Sequence, residues 1–314
     1  MLIGESGVHM NYGVIDIGSN TIRLVAYRCT SDGAGRYRLE KLFSGKETAG
    51  LAGYVENRAL NKRGIEKAVA VLKGFGNTLK NLGIRESFAF ATASLRNVAN
   101  TQEAVAQINR ETGFAVDVLS GEEEAQLDFA GASYGMPMDK GVMLDIGGGS
   151  TEIVLFRERR AMEAVSLPFG SLSLFRRYVF GLLPTGEEYR EICHRVQESL
   201  EVSGLLPSPE TGEVICGIGG TIRACARLME DSMADGAFPM GQIEQLLEEL
   251  SHSEKKALDS ILRAAPERVH TVIPGAAVLR TAAEYFGCKT VWVSEWGVRE
   301  GYLLEKVLGA APLS

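Results

Sequence analysis

Two short stretches of the chain place a carboxylate, small residues and hydroxyls in the same order: Val14-Ile15-Asp16-Ile17-Gly18-Ser19-Asn20-Thr21 and Met143-Leu144-Asp145-Ile146-Gly147-Gly148-Gly149-Ser150. These residue types suit the holding of phosphate and its metal ion. Consecutive backbone N–H groups in a glycine-rich turn form an anion-binding nest. Gly147, Gly148 and Gly149 permit positive φ and close approach of phosphate oxygens. Ser19, Asn20, Ser150 and Thr151 add side-chain donors, and Asp16, Asp145 and Glu152 are hard oxygen ligands suited to Mg²⁺, directly or through water. A single such turn has a plain alternative, since Gly, Asn and Asp are what hairpin turns prefer. Two matched copies with Asp at the same offset point instead to two half-molecules facing one ligand that contains a polyphosphate.

The elements around these turns follow from the hydrophobic pattern. Each turn joins two apolar runs and so reads as a β-hairpin. A third strand is expected over 37–43. A helix from about residue 61 carries Ile65, Val69, Leu72, Phe75, Leu79 and Leu82 on one face and ends at Gly83. Residues 88–91 read as a short buried strand, 92–96 as a loop, 101–112 as a helix and 115–119 as a strand, with a helix starting at Ser120. The order restarts at Val142: a hairpin, a strand near 161–166, helices, a strand over 214–217 that enters the turn Ile218-Gly219-Gly220-Thr221, a strand over 289–294 and a final helix over 296–308. A restarted pattern means duplicated domains. The expected division is 12–133 and 134–314, hinged within the Gly- and Pro-containing stretch 131–137, with the last helix packing back on the first domain.

Bulk properties narrow the classes. At 314 residues the chain exceeds one typical core. A net charge of −7 argues against a broad basic face that grips duplex nucleic acid, although a small pocket on an acidic protein can be locally positive. The five cysteines are scattered without a Cys-x-x-Cys pair, which indicates neither a disulfide framework nor a zinc site. No apolar run reaches membrane-spanning length and no signal-peptide pattern is visible, so a cytoplasmic location is expected. The glycine turns do not fit a dinucleotide fold. A strand follows Gly149, where that fold needs a helix, and Ile222 stands where its last glycine would fall. No Gly-Lys-Ser/Thr sequence follows any turn. The four histidines are not gathered near a motif, which leaves carboxylate chemistry with metal assistance.

The motifs stand in a familiar order: Asp16-Ile17-Gly18-Ser19-Asn20-Thr21, Ala91-Thr92-Ala93-Ser94-Leu95-Arg96, Ser120-Gly121-Glu122-Glu123-Glu124-Ala125, Asp145 through Glu152, Gly219-Gly220-Thr221, Pro274-Gly275-Ala276 and Val298-Arg299-Glu300-Gly301. In them the chain resembles the exopolyphosphatase/guanosine pentaphosphate phosphohydrolase (Ppx/GppA) family, over about 13–308. The resemblance implies the α/β architecture of the sugar kinase, actin and heat-shock chaperone ATPase superfamily: duplicated ribonuclease-H-like domains with the site in the cleft between them. It further implies Mg²⁺-dependent release of terminal orthophosphate from polyphosphate or from pppGpp, the short two-domain form, and a homodimer. By the same resemblance Glu123 matches the catalytic base, and Asp145 and Glu152 the acids near metal and attacking water. Gly18, Ser19, Asn20 and Thr21 match the first phosphate loop, and Gly147, Gly148, Gly149 and Ser150 the second. Arg96 matches a phosphate-contacting arginine, Arg23 lies close to the first loop, and Gly219, Gly220 and Thr221 form a further phosphate- or nucleotide-facing turn.

Some residues keep two readings. Ser120-Gly121-Glu122-Glu123 is also a capping box, which the helix dipole favours; the residues alone lean to capping and the resemblance to catalysis. Arg96 reads equally as a solvated residue opening a helix. Two positions depart from the family. The segment Lys46-Glu47-Thr48-Ala49-Gly50-Leu51-Ala52-Gly53 lacks the arginine of a frequent Arg-Leu-Gly segment, and His270 stands where Asp is common. Polyphosphate and pppGpp therefore both remain open as substrates. The alternatives to hydrolysis are a non-catalytic regulator that binds (p)ppGpp or polyphosphate and, more weakly, an ATP-dependent kinase.

Overall fold

The computed structural model describes residues 9–33 and 36–310. The chain divides into two compact units. Of the described residues, 121–300 form the second, and those before Gly121 join 301–310 in the first.

The first unit begins with β1 (His9–Ile17), β2 (Thr21–Ser31) and β3 (Tyr37–Thr48), then a small hairpin of β4 (Val55–Glu56) and β5 (Ala59–Leu60). α1 (Lys62–Asn81), β6 (Glu86–Ala91), α2 (Ala93–Arg96), α3 (Thr101–Thr112) and β7 (Val116–Val118) follow. The main sheet runs β3-β2-β1-β6-β7, antiparallel within the meander and parallel from β1 to β7. α1 starts where the Asn61 side chain accepts the Gly64 N–H at 3.0 Å, and it stops beside Gly83, whose φ of 70° is left-handed. Its apolar stripe covers one sheet face, joining Ile15, Ile17, Ile22 and Leu24 in a core with Leu72 and Phe75. Each such side chain contributes about 1.5–3 kcal/mol when fully buried. Residues 92–96, expected as a loop, contain the single turn α2, because the Leu95 and Arg96 N–H groups both bond back to Thr92 O.

The second unit opens on α4 (Gly121–Ser133), continues with the meander β8 (Gly141–Ile146), β9 (Thr151–Arg157) and β10 (Arg160–Leu167), and then α5 (Ser171–Tyr178) and α6 (Gly186–Glu201). β11 (Val214–Ile218), α7 (Gly219–Leu228), β12 (Ala237–Pro239), α8 (Met240–His252), α9 (Glu254–Ala264), α10 (Val272–Phe286), β13 (Thr290–Val293) and α11 (Val298–Gly301) complete it. Its sheet runs β10-β9-β8-β11-β13-β12, the order of the first sheet plus one antiparallel edge strand. Both units are thus ribonuclease-H-like. α4 packs on β9 and β10 and so lies with the second sheet, whereas the sequence reading ends the first domain after that helix. The expected final helix is two pieces: α11, and a π-helical segment Tyr302–Val307 that packs in the first unit, with Tyr302 stacked on Phe90 at 4.8 Å.

Side-chain alternation along β8 and β9 decides what faces what. Val142, Leu144, Ile153 and Leu155 enter the large core with α10, while Met143 and Val154 enter a smaller core under α4. By the period of two, Asp145 and Glu152 share the α4 face.

Candidate functional site

Both turns close with the same bond. Gly18 N–H donates to Thr21 O and Gly147 N–H to Ser150 O, each at 3.0 Å. Around the first turn, the Ala52 N–H donates to Ser19 O at 2.9 Å and the Gly50 N–H to Asn20 O at 2.8 Å. Because C=O and N–H point oppositely across a trans peptide, the N–H groups of Asn20 and Thr21 are turned away from that backing loop. Gly50 and Ala52, within the segment 46–53 singled out in the sequence, are therefore the brace of this turn. Around the second turn, Ser171 N–H donates to Gly147 O at 2.9 Å, and the Leu172 and Ser173 N–H groups donate to Gly148 O at 3.1 and 3.0 Å. The first turn of α5 takes up the glycine carbonyls, and the N–H groups of Gly148 and Gly149 point the other way. Both turns thus aim consecutive backbone donors outward from a braced loop, the geometry of an anion nest.

The glycines of the second turn serve by size. Positive φ, which Gly147, Gly148 and Gly149 would permit, is found at none of them and instead at Gly219, at 87°. A Cβ at Gly147 would sit 3.0 Å from Ser150 O, which keeps the turn tight, and one at Gly170 would collide with Gly147 O, so α5 approaches the turn only because Gly170 lacks a side chain.

Asp145 pairs across the hairpin with Glu152, and Asp16 pairs with Arg23. Glu152 is buried to 1% exposure, accepts from Ser166 Oγ at 2.7 Å and also from Ser150. Burial, and then the charges of Glu124 and Asp145, hold its carboxyl well above the usual range. Asp128, on α4 one turn beyond Glu124, has no exposed surface. It is pushed up likewise, first by burial and then by Asp145, Glu152 and Glu124. Glu123 is half-buried in the first turn of α4, beside the buried Glu124.

Other expected site residues divide in two. Arg96 is half-buried, and its Nη1 donates to Leu119 O at 3.2 Å, so it leans on the end of β7. Gly219 and Gly220 lie beside the cluster: a Cβ on Gly219 would strike Asp145 Oδ1, and one on Gly220 would strike the guanidinium of Arg268. Thr221, counted with them from the sequence, is fully buried with its hydroxyl 3.3 Å from Ser171 Oγ and its methyl against Gly275. It braces α7 against α5 and α10 instead of offering a donor to a ligand.

Sequence reasoning missed Glu124, Asp128 and Arg268. The first two were readable as acids four apart among the apolar residues of an α4 face (Ala125, Phe129 and Ala132 are buried). Arg268 had no sequence signal of its own, and the segment drew attention for His270, whose ring lies against Phe175 at 4.8 Å. Burial lowers the Arg268 pKa, and the charges of Glu267 and Asp145 pull it back up.

Among the described residues no three His, Cys, Asp or Glu side chains converge closely enough to hold a metal ion by themselves. The Asp145 and Glu152 pair still fits Mg²⁺, which keeps waters and phosphate oxygens around one or two carboxylates. Asp16 stands opposite Arg23, which leaves less net charge there to attract a cation.

This duplicated architecture with its paired turns has relatives. The sequence model of the Ppx/GppA phosphatase family matches residues 31–310. The chain belongs to the Ppx/GppA phosphatase family. Exopolyphosphatase 1 of Mycobacterium bovis is 26% identical to it over 312 residues, covering 95% of this chain and 88% of that protein. The crystal structure of the Aquifex aeolicus Ppx/GppA family member matches with a TM-score of 0.78 at 26% identity, covering 96% of this chain and 99% of that one. The fold is shared too with an exopolyphosphatase from Cytophaga hutchinsonii, TM-score 0.79 at 20% identity, covering 97% and 100% of the two chains. Among the described residues of this Ppx/GppA chain, no helix is long and apolar enough to cross a membrane.

Proposed function

We propose that the protein is a phosphoanhydride hydrolase that releases terminal orthophosphate from inorganic polyphosphate, with pppGpp as the competing substrate. The observation that carries this reading is the second turn, where the outward N–H groups of Gly148 and Gly149 adjoin a hairpin whose cross-strand pair is Asp145 and Glu152. Backbone donors bind phosphate oxygens, and carboxylates orient water. Polyphosphate is favoured by the name of the Mycobacterium bovis relative, Exopolyphosphatase 1.

In the proposed reaction, Gly148 and Gly149 N–H groups with Ser150 hold the terminal phosphoryl group, and Gly18 to Thr21 with Arg23 and Arg96 hold phosphates along the chain. Glu123 takes the proton of a water whose oxygen bonds to the terminal phosphorus, as the bridging P–O bond breaks toward the shortened chain. Mg²⁺, held by Asp145 and Glu152, would neutralise charge on the phosphoryl oxygens when bound. Arg268, over the Gly219–Gly220 turn, adds positive charge beside Asp145.

Phosphate release from polyphosphate, pppGpp and ATP with Mg²⁺ tests the reading. Wild type should turn over polyphosphate, and Glu123→Ala should be slower by about 10²–10⁴-fold, the range of a lost general base. Equal, background rates for both proteins on all three substrates would sink it. Tight (p)ppGpp binding without turnover would support a regulator instead.

A further inference from the structure

Asp128 belongs to none of the motifs shared with the family, yet it is the acid most fully enclosed along α4, with no exposed surface. Its Oδ1 accepts the backbone N–H of Val298 at 2.8 Å, and its Oδ2 has no hydrogen-bond partner among the described residues. The approach depends on Gly297, where a Cβ would sit 3.2 Å from Oδ1 and 2.8 Å from Ile218 Cγ2. Glu300, also fully buried, accepts the Gly297 N–H at 2.9 Å. Further along, Tyr134 meets Trp296 edge-on with centroids 5.2 Å apart. The segment 294–300 is thus fastened to α4 at Asp128 and, just past the helix, at Tyr134, and the Asp128–Val298 contact is a directional bond.

The apolar packing under α4 cannot do this work alone. Beside Val154, Ile218 and Phe129 against Phe156, it consists of Ala125, Ala132, Met136, Met143 and Cys216. Small side chains and flexible methionines fill space without defining one seat. A helix of this kind can slide along its axis, and a slide carries undiminished to its first turn, where Glu123 and Glu124 stand. A buried carboxyl without a cationic partner is a costly way to add stability. A leucine would bury no carboxyl there but would leave the Val298 N–H without an acceptor, so what the aspartate adds is a directional bond and with it position.

We propose that Asp128 is a positioning residue: by bonding the Val298 backbone it fixes the seat of α4 on the second sheet, and with it the place at which Glu123 meets the water it deprotonates. This rests on the hydrolase reading above. Rates are sensitive to such placement, a misfit of about 1 Å costing on the order of 100-fold.

Two substitutions test it. Asp128→Asn keeps an acceptor at Oδ1, and Asp128→Leu removes it while filling the space. With polyphosphate and Mg²⁺, Asp128→Leu should fold, melt within a few degrees of wild type at pH 7 as the lost carboxyl burial offsets the orphaned Val298 N–H, and lose about 100-fold in kcat with KM within about twofold. Asp128→Asn should retain kcat within about threefold. Amide exchange gives a readout independent of turnover: Val298 and residues 125–128 should exchange faster in Asp128→Leu and at the wild-type rate in Asp128→Asn. A folded Asp128→Leu with wild-type kcat and exchange overturns the proposal, and so does an Asp128→Asn as slow as Asp128→Leu. If wild type releases no phosphate the hydrolase reading fails, and the exchange pattern alone then decides whether Asp128 seats the helix.

Discussion

The two hairpins share a closing bond at 3.0 Å, an Asp at the same offset and a brace that turns backbone N–H groups outward, yet they differ at the one cross-strand position beside that Asp. The first places Arg23 there and the second Glu152. Opposite charges across a hairpin stabilise, and like charges cost. The elements over the two sheet faces differ in the same sense. Phe90, the register neighbour of Asp16, lies under Tyr302, and Lys306 pairs with Asp117 at 2.9 Å. Over Asp145 and Glu152 lies α4 with Glu124 and Asp128. One scaffold has thus diverged into a hairpin balanced in charge, suited to gripping an anion, and a hairpin with surplus negative charge, suited to a cation and a water.

The largest test of that division exchanges charge at the matched position. Glu152→Gln should lower kcat by about 10²–10³-fold with little change in KM, as expected where an interaction acts in the transition state. Arg23→Gln should instead raise KM by about tenfold and leave kcat within about threefold, the pattern of lost ground-state binding. Steady-state kinetics on polyphosphate separates the two. If Arg23→Gln lost kcat and Glu152→Gln lost only affinity, the roles of the hairpins would be reversed.

The duplication was legible because it is local. Each turn is a continuous run of residues, and strand order follows once the hairpin restarts, so a duplication could be read from pattern, while the ribonuclease-H-like fold of the copies was implied by the family resemblance. The carboxylate cluster was not, because it is assembled from separated segments. Asp128 and Glu124 join Glu152 only through the packing of α4 on β9 and β10, and Arg268 reaches Gly220 from beyond α9. The glycines mislead for a related reason. Their composition suggests backbone freedom at 147–149, but the demand for positive φ falls on Gly219, and the close approach of α5 to the turn is made at Gly170. Thr221 was grouped with its glycine neighbours by sequence adjacency, while its side chain points into the α5–α10 contact.

A second test of the comparison asks how crowded the surroundings of each hairpin Asp are. Gly219 has φ of 87° and its missing Cβ would strike Asp145 Oδ1. Gly219→Ala should destabilise the protein by about 2–3 kcal/mol, combining backbone strain with overpacking. Gly18→Ala places a Cβ 3.0 Å from Thr21 O but 4.0 Å from Asp16 Oδ1 in the first hairpin, and should cost only about 1 kcal/mol. Urea unfolding measures both. Equal costs would mean that the second hairpin is no more crowded around its acid than the first.

The smallest effect is a pH dependence that only the second hairpin should produce. Glu152 and Asp128 titrate well above their ordinary values of 4.5 and 3.8 in the folded protein. Below those ordinary values both states are protonated and the acids cost nothing. As pH rises, the unfolded chain ionises first and gains, while the folded state holds its protons until the raised pKa is reached. Stability is therefore lost with rising pH across that window and levels off above it. With chelator present, Glu152→Gln should remove part of this slope and melt about 2–4 °C higher than wild type at pH 8, with no difference at pH 4. Arg23→Gln should show no such gain at pH 8, since it removes a cation from the balanced hairpin. If Glu152→Gln melted lower than wild type at pH 8, the like-charged pair would be a net stabiliser in the absence of metal, and the contrast between the hairpins would have to rest on their backbones alone.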